Sequence, residues 1–400
     1  MRILTLSVLA ALFLAAPSPS RAQDKFADIP KQVQPFVDHG EISGAVMLVA
    51  TKDRILHLSA IGVSNLATGR PMETGDIFWI ASMSKPITAL GIALLVDEGK
   101  VSFDDPVQKY LPEFRRQWVI QEGTPERRVL VPAARPILIR DLLTHTSGLG
   151  EYVVTDPHWT LAEMSKVIAR EPLRFQPGSR WAYSTAGLDV AGRIVEVASG
   201  RPFAEFMHER LFAPLGMTHT SFWLTAEQDQ RRARSYKPNP TTHVLEEAVI
   251  TYMYGGAITD WNRPPLGGAG LFSTAEDVTK IYQMMLNGGM ANGRQLIKSE
   301  TLAEMTRNQI GALKARPGMP WGYGFCVVTD PTQQIANHTL SPGSFGHGGA
   351  FGTDSWADPT RGLIYVFMIQ RDALKPTPDD SAMRRAYQAA AEAALAGGTP

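Results

Sequence analysis

Apolar segments of strand length lie at both ends of this chain, and this placement constrains its fold more than any other feature. Near the start, residues 45–50 and 55–61 flank the polar turn 51–54, which predicts an antiparallel hairpin. Helical spacing dominates the middle of the chain, and β-type composition returns toward the end, at residues 322–328, 344–347, 352–357 and 363–369. This order predicts an α+β fold, in which an antiparallel sheet built from both termini is flanked by helices and interrupted by an inserted, mostly helical domain.

The same pattern predicts the domain boundaries. Residues 23–99 plus 312–400 would form the sheet domain, and residues 100–311 the inserted helical domain. Residues 1–22 have the pattern of a secretory signal peptide, with a basic start, an apolar run and a small-x-small cleavage site that ends at Ala22. Cleavage after Ala22 predicts a periplasmic or secreted protein. The alternative is an N-terminal anchor that stays uncleaved.

Charge and cysteine content exclude several classes of function. The 39 basic and 39 acidic residues give a pI near 7.1, so no basic face for nucleic acid is indicated. No second long apolar run follows the signal, so no membrane partner is expected after cleavage. The single cysteine, Cys326, forbids an intramolecular disulfide and is interpreted as a buried strand residue. The sequence has no metal-ligand spacing and no phosphate or dinucleotide fingerprint, so it predicts no metal and no cofactor, and it indicates no oligomeric state.

Ser82 and Lys85 form the only Ser-x-x-Lys sequence in the chain. They lie in an apolar helix that should begin close to Ser82, because Pro86 is tolerated only near a helix start. Side chains three residues apart share one helix face. A hydroxyl near the positive end of a helix dipole, beside a lysine that has lost its proton, is a candidate nucleophile with its base.

Two further stretches can supply what acyl transfer also needs, a proton donor and N–H groups for the oxyanion. Tyr183, in a loop between helices, can exchange a proton with a serine, and the alternative is a half-buried structural tyrosine. Residues 345–352 are rich in glycine around His347, which permits close approach of a substrate; the alternative is a pair of turns that hold a hairpin. His145 is expected to order its loop beside a helix end.

Taken in order, these stretches resemble the active-site motifs of a known family. Ser82 to Lys85, Tyr183 to Thr185 and His347 to Gly349 are similar to the three motifs of the penicillin-recognising serine hydrolases. That family includes class C β-lactamases, D-alanyl-D-alanine carboxypeptidases, D-aminopeptidases and family VIII carboxylesterases. Residues 140–149, 175–184 and 268–277 also look like family segments, and the resemblance spans about residues 25–395.

The resemblance implies a β-lactamase/transpeptidase-like fold and a role for each matching residue. Ser82 would be the acylated nucleophile, while Lys85 and Tyr183 would act together as general base and then as the acid for the leaving group. The backbone N–H groups of Ser82 and Ala350 would form the oxyanion hole. The substrate would also be bound at the other matching positions, Thr185, His347, Gly348 and Gly349.

Two positions depart from the family pattern. Thr185 stands where an asparagine commonly holds the lysine and the substrate amide. His347 stands where β-lactamases commonly have a lysine that attracts the substrate carboxylate, and a histidine is mostly neutral near pH 7. Both changes weaken recognition of an anionic amide or β-lactam, whereas an ester has a better leaving group. The sequence therefore favours an exported carboxylesterase that acts on a small ester through an acyl-enzyme.

Two other interpretations remain open. The first is a β-lactamase, D-alanyl peptidase or D-aminopeptidase that acts on a small amide, because histidine also occurs at the third motif in peptidase members of the family. The second is a non-catalytic protein that binds cell-wall peptides on the same scaffold, although the intact Ser82, Lys85 and Tyr183 argue against it. The chain has no Gly-x-Ser-x-Gly elbow, so an α/β-hydrolase is disfavoured.

Overall fold

The computed structural model describes residues 25–123, 127–152, 156–250, 257–333, 339–372 and 382–396. The predicted signal peptide, residues 1–22, lies outside these described residues. Within them, no helix combines the length and the apolar character that a membrane span requires.

Short strands and helices alternate along the described chain. The strands are β1 (Gly44–Thr51), β2 (Ile55–Asn65), β3 (Arg70–Pro71), β4 (Phe78–Trp79), β5 (Trp118–Gly123), β6 (Arg128–Pro132), β7 (Tyr236–Pro238), β8 (Leu245–Glu247), β9 (Phe272–Ser273), β10 (Met290–Ala291), β11 (Arg294–Gln295), β12 (Cys326–Val327), β13 (Phe345–Gly348), β14 (Asp354–Asp358) and β15 (Leu363–Met368). The helices are α1 (Asp28–Asp38), α2 (Ser84–Asp97), α3 (Ile139–Leu143), α4 (Leu161–Arg170), α5 (Thr185–Ser199), α6 (Phe203–Met207), α7 (Ala213–Leu215), α8 (Ala226–Gln230), α9 (Ala275–Leu286), α10 (Ser299–Met305) and α11 (Ala382–Ala396).

The largest sheet has seven strands and is assembled from both ends of the chain, as the sequence predicts. Its order is β12-β13-β14-β15-β1-β2-β3, and each neighbouring pair is antiparallel. The N-terminal and C-terminal parts meet where β1 pairs with β15, with Val46 opposite Met368 and Thr51 opposite Leu363. The predicted hairpin of β1 and β2 is present, and so is the α+β architecture.

The interior strand β1 is buried on both faces up to Ala50, which explains why its sequence is apolar as far as that residue. Alternate side chains point to opposite faces of a strand. Met47 and Val49 therefore join the apolar cluster that contains α1 and α11, whereas Val46 and Leu48 join the larger cluster on the other face. The larger cluster also contains α2, α5 and α9, so the helical part of the chain is packed on one side of the sheet.

Two helices tie the sheet to the inserted region. Helix α9 lies within the range 100–311 predicted for the helical domain, yet it packs against β1, β14 and β15. Helix α2 comes from the N-terminal range and packs against α5. It is buried from Ser84 to Leu95, in agreement with its nearly continuous apolar sequence. The exact domain boundaries remain a prediction.

One predicted strand is much shorter than expected. Residues 322–328 have strand composition, but only Cys326–Val327 pairs with β13. The preceding N–H groups bond elsewhere: that of Tyr323 donates to the Met305 carbonyl, and that of Gly324 to the Leu143 carbonyl. Gly324 also has φ +79°, which a strand does not allow. Cys326 itself is buried on its strand, as expected.

Candidate active site

Ser82 lies in a tight turn immediately before α2. The turn is a 3₁₀ helix, Ala81–Met83, and α2 begins at Ser84, so the predicted helix start is placed correctly within two residues. Ala81 has φ +45°, a left-handed conformation that costs energy for a residue with a Cβ. Strain of this kind is often concentrated where a protein must hold a side chain in a functional position. Ser82 is half-buried and Ser84 is fully buried.

Lys85, in the first turn of α2, is fully buried and points back to Ser82. Its Nζ lies 3.0 Å from the Ser82 Oγ, so the two side chains share a face as their spacing predicts. The same Nζ donates to the carbonyl of Gly268 at 2.7 Å. It also lies 4.7 Å from the centroid of the Tyr183 ring. One buried side-chain nitrogen thus contacts a hydroxyl, a carbonyl and an aromatic ring.

The second motif lies at the start of α5. Ser184 caps this helix, and its hydroxyl accepts from the N–H of Gly187 at 3.4 Å. Tyr183 precedes the cap, and its ring lies 4.4 Å from the His145 ring. The Nδ1 of His145 accepts the Ser184 N–H at 3.1 Å. His145 therefore orders this loop beside a helix end, as the sequence predicts, and burial lowers the pKa of its imidazole well below its ordinary value.

Thr185, the departure in the second motif, does not reproduce the contacts expected of an asparagine. Its N–H donates to the Oε1 of Glu151 at 3.0 Å. Its Cγ2 lies within 2.5 Å of the point where a Cβ on Gly268 would be placed, so the methyl group packs on that glycine. The position therefore offers a methyl group and a nearby carboxylate in place of an amide.

His347 lies on β13, and its ring makes a hydrogen bond to the backbone. Its Nδ1–H donates to the carbonyl of Gly348 at 2.6 Å. Burial lowers the pKa of His347 to about 3, and the charges of Lys85 and Arg316 also lower it. Near neutral pH, its Nε2 is an unprotonated acceptor.

The depressed pKa of His347 predicts how stability depends on pH. The unfolded chain binds a proton below the ordinary value of 6.5, whereas the folded chain does so only near 3. The contribution to stability is therefore complete above 6.5 and is lost as the pH falls toward 3. When the pH is lowered from 7.5 to 4.5, both proteins should lose stability. Urea unfolding should show that the wild type loses about 2 to 3 kcal/mol more than His347→Gln, which has no imidazole to protonate. Equal losses in the two proteins would contradict the neutral assignment.

The glycines of the third motif bring β13 against the turn that carries Ser82. A Cβ on Gly349 would lie 2.6 Å from the carbonyl of Ile80, two residues before Ser82, so only glycine permits this approach. The N–H of Gly349 donates to the Thr353 carbonyl at 2.7 Å. Ala350 follows in an exposed turn beside the same segment. The structure thus brings all three predicted motifs to one place, and the assignment of the oxyanion hole to Ser82 and Ala350 remains a prediction.

Sequence reasoning missed several residues of this site. Gly268 falls within a family segment, but its sequence does not reveal its role, because a backbone carbonyl that binds a lysine has no side-chain signature. The aromatic wall around the site was also missed: Trp321 lies 5.0 Å from His145 and 5.6 Å from His347, measured between ring centroids. Trp181 completes this wall at 5.3 Å from Trp321. Tryptophans in loops, far apart in the sequence, gave no pattern that pointed to a common site.

No metal centre accompanies these residues in the part of the chain that the structure describes. No group of three or more His, Cys, Asp or Glu side chains there is arranged to hold an ion. The predicted absence of a metal and of a cofactor stays a prediction.

With this geometry in place, comparison with known proteins decides the family. The model of the beta-lactamase family matches residues 29–391, nearly the whole of the described chain. The chain belongs to the beta-lactamase family. It is therefore a serine hydrolase of that family, and the resemblance of the three motifs is confirmed at this level.

Relatives of this beta-lactamase-family protein include both esterases and peptidases. Esterase EstB of Burkholderia gladioli is 31% identical over 355 residues, which cover 81% of this chain and 85% of the esterase. A putative D-alanyl-D-alanine carboxypeptidase of Escherichia coli is 28% identical over 363 residues, which cover 81% of this chain and 77% of the relative. The solved structure of EstCE1, a hydrolase with promiscuous acyltransferase activity, superposes with a TM-score of 0.76 at 24% identity, over 93% of this chain and 99% of its own. That likeness confirms the β-lactamase/transpeptidase-like fold.

Proposed function

We propose that this protein is an exported carboxylesterase that works through an acyl-enzyme on Ser82. The observation that carries the proposal is the distance of 3.0 Å between the Lys85 Nζ and the Ser82 Oγ in a buried site. Lys85 and Tyr183 act as one base that holds one proton fewer than the fully protonated pair: it takes the proton from Ser82 as the serine attacks the ester carbonyl, and it returns that proton to the alcohol that leaves. The N–H groups of Ser82 and Ala350 stabilise the oxyanion. Water then hydrolyses the acyl-enzyme by the same proton transfers in reverse order.

The charges around the site favour an ester without a carboxylate. His347 is neutral, so it does not attract an anion in the way that a lysine at this position would. At the second motif, the Glu151 carboxylate accepts the Thr185 N–H where the family pattern has an amide. The half-buried ring of Trp181, packed on the fully buried Trp321, offers an apolar surface for a short acyl group or for the alcohol. Similarity to Esterase EstB supports the same choice.

A second candidate, hydrolysis of a D-alanyl peptide or another anionic amide, is favoured by Arg316. Its guanidinium lies 5.7 Å from the Trp321 ring centroid, and its charge lowers the pKa of His347. A carboxylate-bearing substrate therefore has one cation on the side of the third motif. Similarity to the Escherichia coli carboxypeptidase is consistent with this candidate.

The test compares two esters of the same shape that differ in charge. p-Nitrophenyl butyrate and p-nitrophenyl hemisuccinate are matched, because a carboxylate replaces the terminal methyl group. We expect kcat/KM to be at least about tenfold higher for the butyrate, since an unpaired carboxylate is costly to desolvate. A preference for the hemisuccinate that is lost in Arg316→Gln would support the second candidate instead.

Two further substrates complete the assay. Turnover of a chromogenic cephalosporin, with no ester hydrolysis, would indicate a β-lactamase, and release from D-alanine amide alone would indicate a peptidase. No turnover of any substrate, together with no covalent adduct from a fluorophosphonate, would indicate a non-catalytic binding protein. Export is tested separately, by determining the N-terminus of the protein recovered from its native host. The proposal expects cleavage after Ala22.

A further inference from the structure

Asp189, on α5, is a buried carboxylate that the proposed reaction does not use. Its Oδ1 accepts the N–H of Gly268 at 2.8 Å, and its Oδ2 accepts the hydroxyl of Tyr152 at 2.9 Å. The carbonyl of the same glycine accepts from the Lys85 Nζ at 2.7 Å. A continuous chain of hydrogen bonds therefore joins Tyr152, Asp189, Gly268 and Lys85, and Lys85 in turn contacts Ser82.

The segment that carries Gly268 passes between α2 and α5 too closely for side chains. A Cβ on Gly267 would lie 2.5 Å from the Leu188 carbonyl, and one on Gly268 would lie 2.7 Å from the Thr185 carbonyl. The Gly267 carbonyl also accepts the hydroxyl of Thr88, on α2, at 2.7 Å. The peptide group between Gly267 and Gly268 is thus held by both helices, because Thr88 binds its carbonyl and Asp189 binds its N–H. Asp189 is the charged member of this set.

Ionised Asp189 destabilises the fold, which a purely structural residue would not be expected to do. Burial, and to a lesser degree the charge of Glu151, raises the pKa of Asp189 to about 6 from its ordinary 3.8, against the opposing effects of the Gly268 N–H, the Tyr152 hydroxyl and the charge of Lys85. As the pH rises from 3.8 to 6, the unfolded chain releases this proton more readily than the folded chain, so stability falls and stays lower above 6. An asparagine, which remains neutral, would not lose this stability.

We infer that Asp189 is a positioning residue for Lys85: it binds the N–H of Gly268 and so fixes the residue whose carbonyl accepts from the Lys85 Nζ next to Ser82. The inference rests on the proposed function, because it gives Asp189 a part in forming the acyl-enzyme on Ser82. It also gives Tyr152 a part, as the donor that keeps the carboxylate ionised and correctly oriented. Neither residue contacts the reacting atoms.

The test measures kcat and KM of the mature protein for p-nitrophenyl butyrate between pH 5 and 9. In Asp189→Asn, we expect kcat to fall about tenfold or more with little change in KM, because hydrogen-bonded neighbours are strongly coupled. The wild type should lose activity as the pH falls through about 6, and this acid limb should be absent from the variant. The melting temperature of the variant at pH 8 should be at least that of the wild type.

Two other variants separate positioning from a structural effect. Asp277→Asn is the matched control, because Asp277 is also buried on a helix and accepts the His219 N–H at 2.8 Å and the Thr220 hydroxyl at 3.1 Å. It should lower the melting temperature and leave the pH profile unchanged. Tyr152→Phe removes a hydrogen-bond donor to Asp189, and this loss raises the pKa of the Asp189 carboxyl. The acid limb of the activity of this variant should therefore move to higher pH.

The outcomes distinguish this inference from the proposed function. If the wild type is active and Asp189→Asn has the same kcat and the same acid limb, the inference is overturned and the proposed function stands. If Asp189→Asn does not fold, Tyr152→Phe decides, and an unshifted acid limb overturns the inference. A wild type that neither hydrolyses the ester nor reacts with a fluorophosphonate overturns the proposed function, and the role of Asp189 with it.

Discussion

Ser82→Ala is expected to reduce ester hydrolysis by about five orders of magnitude or more, because the variant has no oxygen with which to form the acyl-enzyme. The loss should appear in kcat, while substrate binding changes little. The fold should be retained, because the Ser82 hydroxyl is only half-buried. Among the described residues, its side chain makes one hydrogen bond, with Lys85. Rates measured with p-nitrophenyl butyrate, and circular dichroism of the same samples, check both expectations.

Ser84→Ala is the matched control, two residues away on the same segment. The Ser84 Oγ accepts the N–H of Leu271 at 3.0 Å in the core, so it supports the structure. Its loss leaves a buried N–H without an acceptor and should lower the free energy of unfolding by about 1 to 3 kcal/mol. Hydrolysis should remain. If the effects of the two variants were exchanged, with Ser84→Ala inactive and Ser82→Ala active, the assignment of the nucleophile would be wrong.

Tyr183→Phe is expected to slow acylation by at least about a hundredfold, because the hydroxyl that moves the proton is lost. The ring itself remains, and its centroid stays 4.4 Å from that of His145 and 4.7 Å from the Lys85 Nζ. The variant should therefore fold normally. Single-turnover measurements of p-nitrophenol release separate acylation from later steps and give the rate directly.

Tyr282→Phe provides the control for removal of a tyrosine hydroxyl. Tyr282 lies on α9, buried against the sheet, and its hydroxyl lies 2.8 Å from the Ser355 Oγ. Removing it should cost about 1 kcal/mol of stability and leave the acylation rate unchanged. An unchanged rate in Tyr183→Phe as well would exclude Tyr183 from the proton transfers.

The sequence was informative where function depends on side chains with fixed spacing. Ser82 and Lys85 are three residues apart at a helix start, and helical geometry alone brings their side chains together. The sheet was also predictable, because β1 and β15 are apolar and must be buried together. The order of the three motifs led to the family, and the family comparison confirmed it.

The sequence was uninformative where function depends on tertiary contacts. The carbonyl that binds Lys85 belongs to Gly268, 183 residues further along the chain, and a carbonyl is present in every residue. The charge of His347 depends on its burial and on the cations around it, which no local pattern reveals. Asp189 looks like an ordinary polar residue of an amphipathic helix, and only the fold shows that it is buried and hydrogen-bonded to Gly268.

The reaction of the mature protein with a fluorophosphonate tests the central claim most directly, because the reagent forms a stable bond with an activated serine. Peptide mapping by mass spectrometry should find one adduct for each chain, on Ser82, and ester hydrolysis should disappear in proportion to the modification. Neither should occur in Ser82→Ala, while Ser84→Ala should react as the wild type does. Hydrolysis that persists in the fully modified protein, or an adduct on a different residue, would contradict the account.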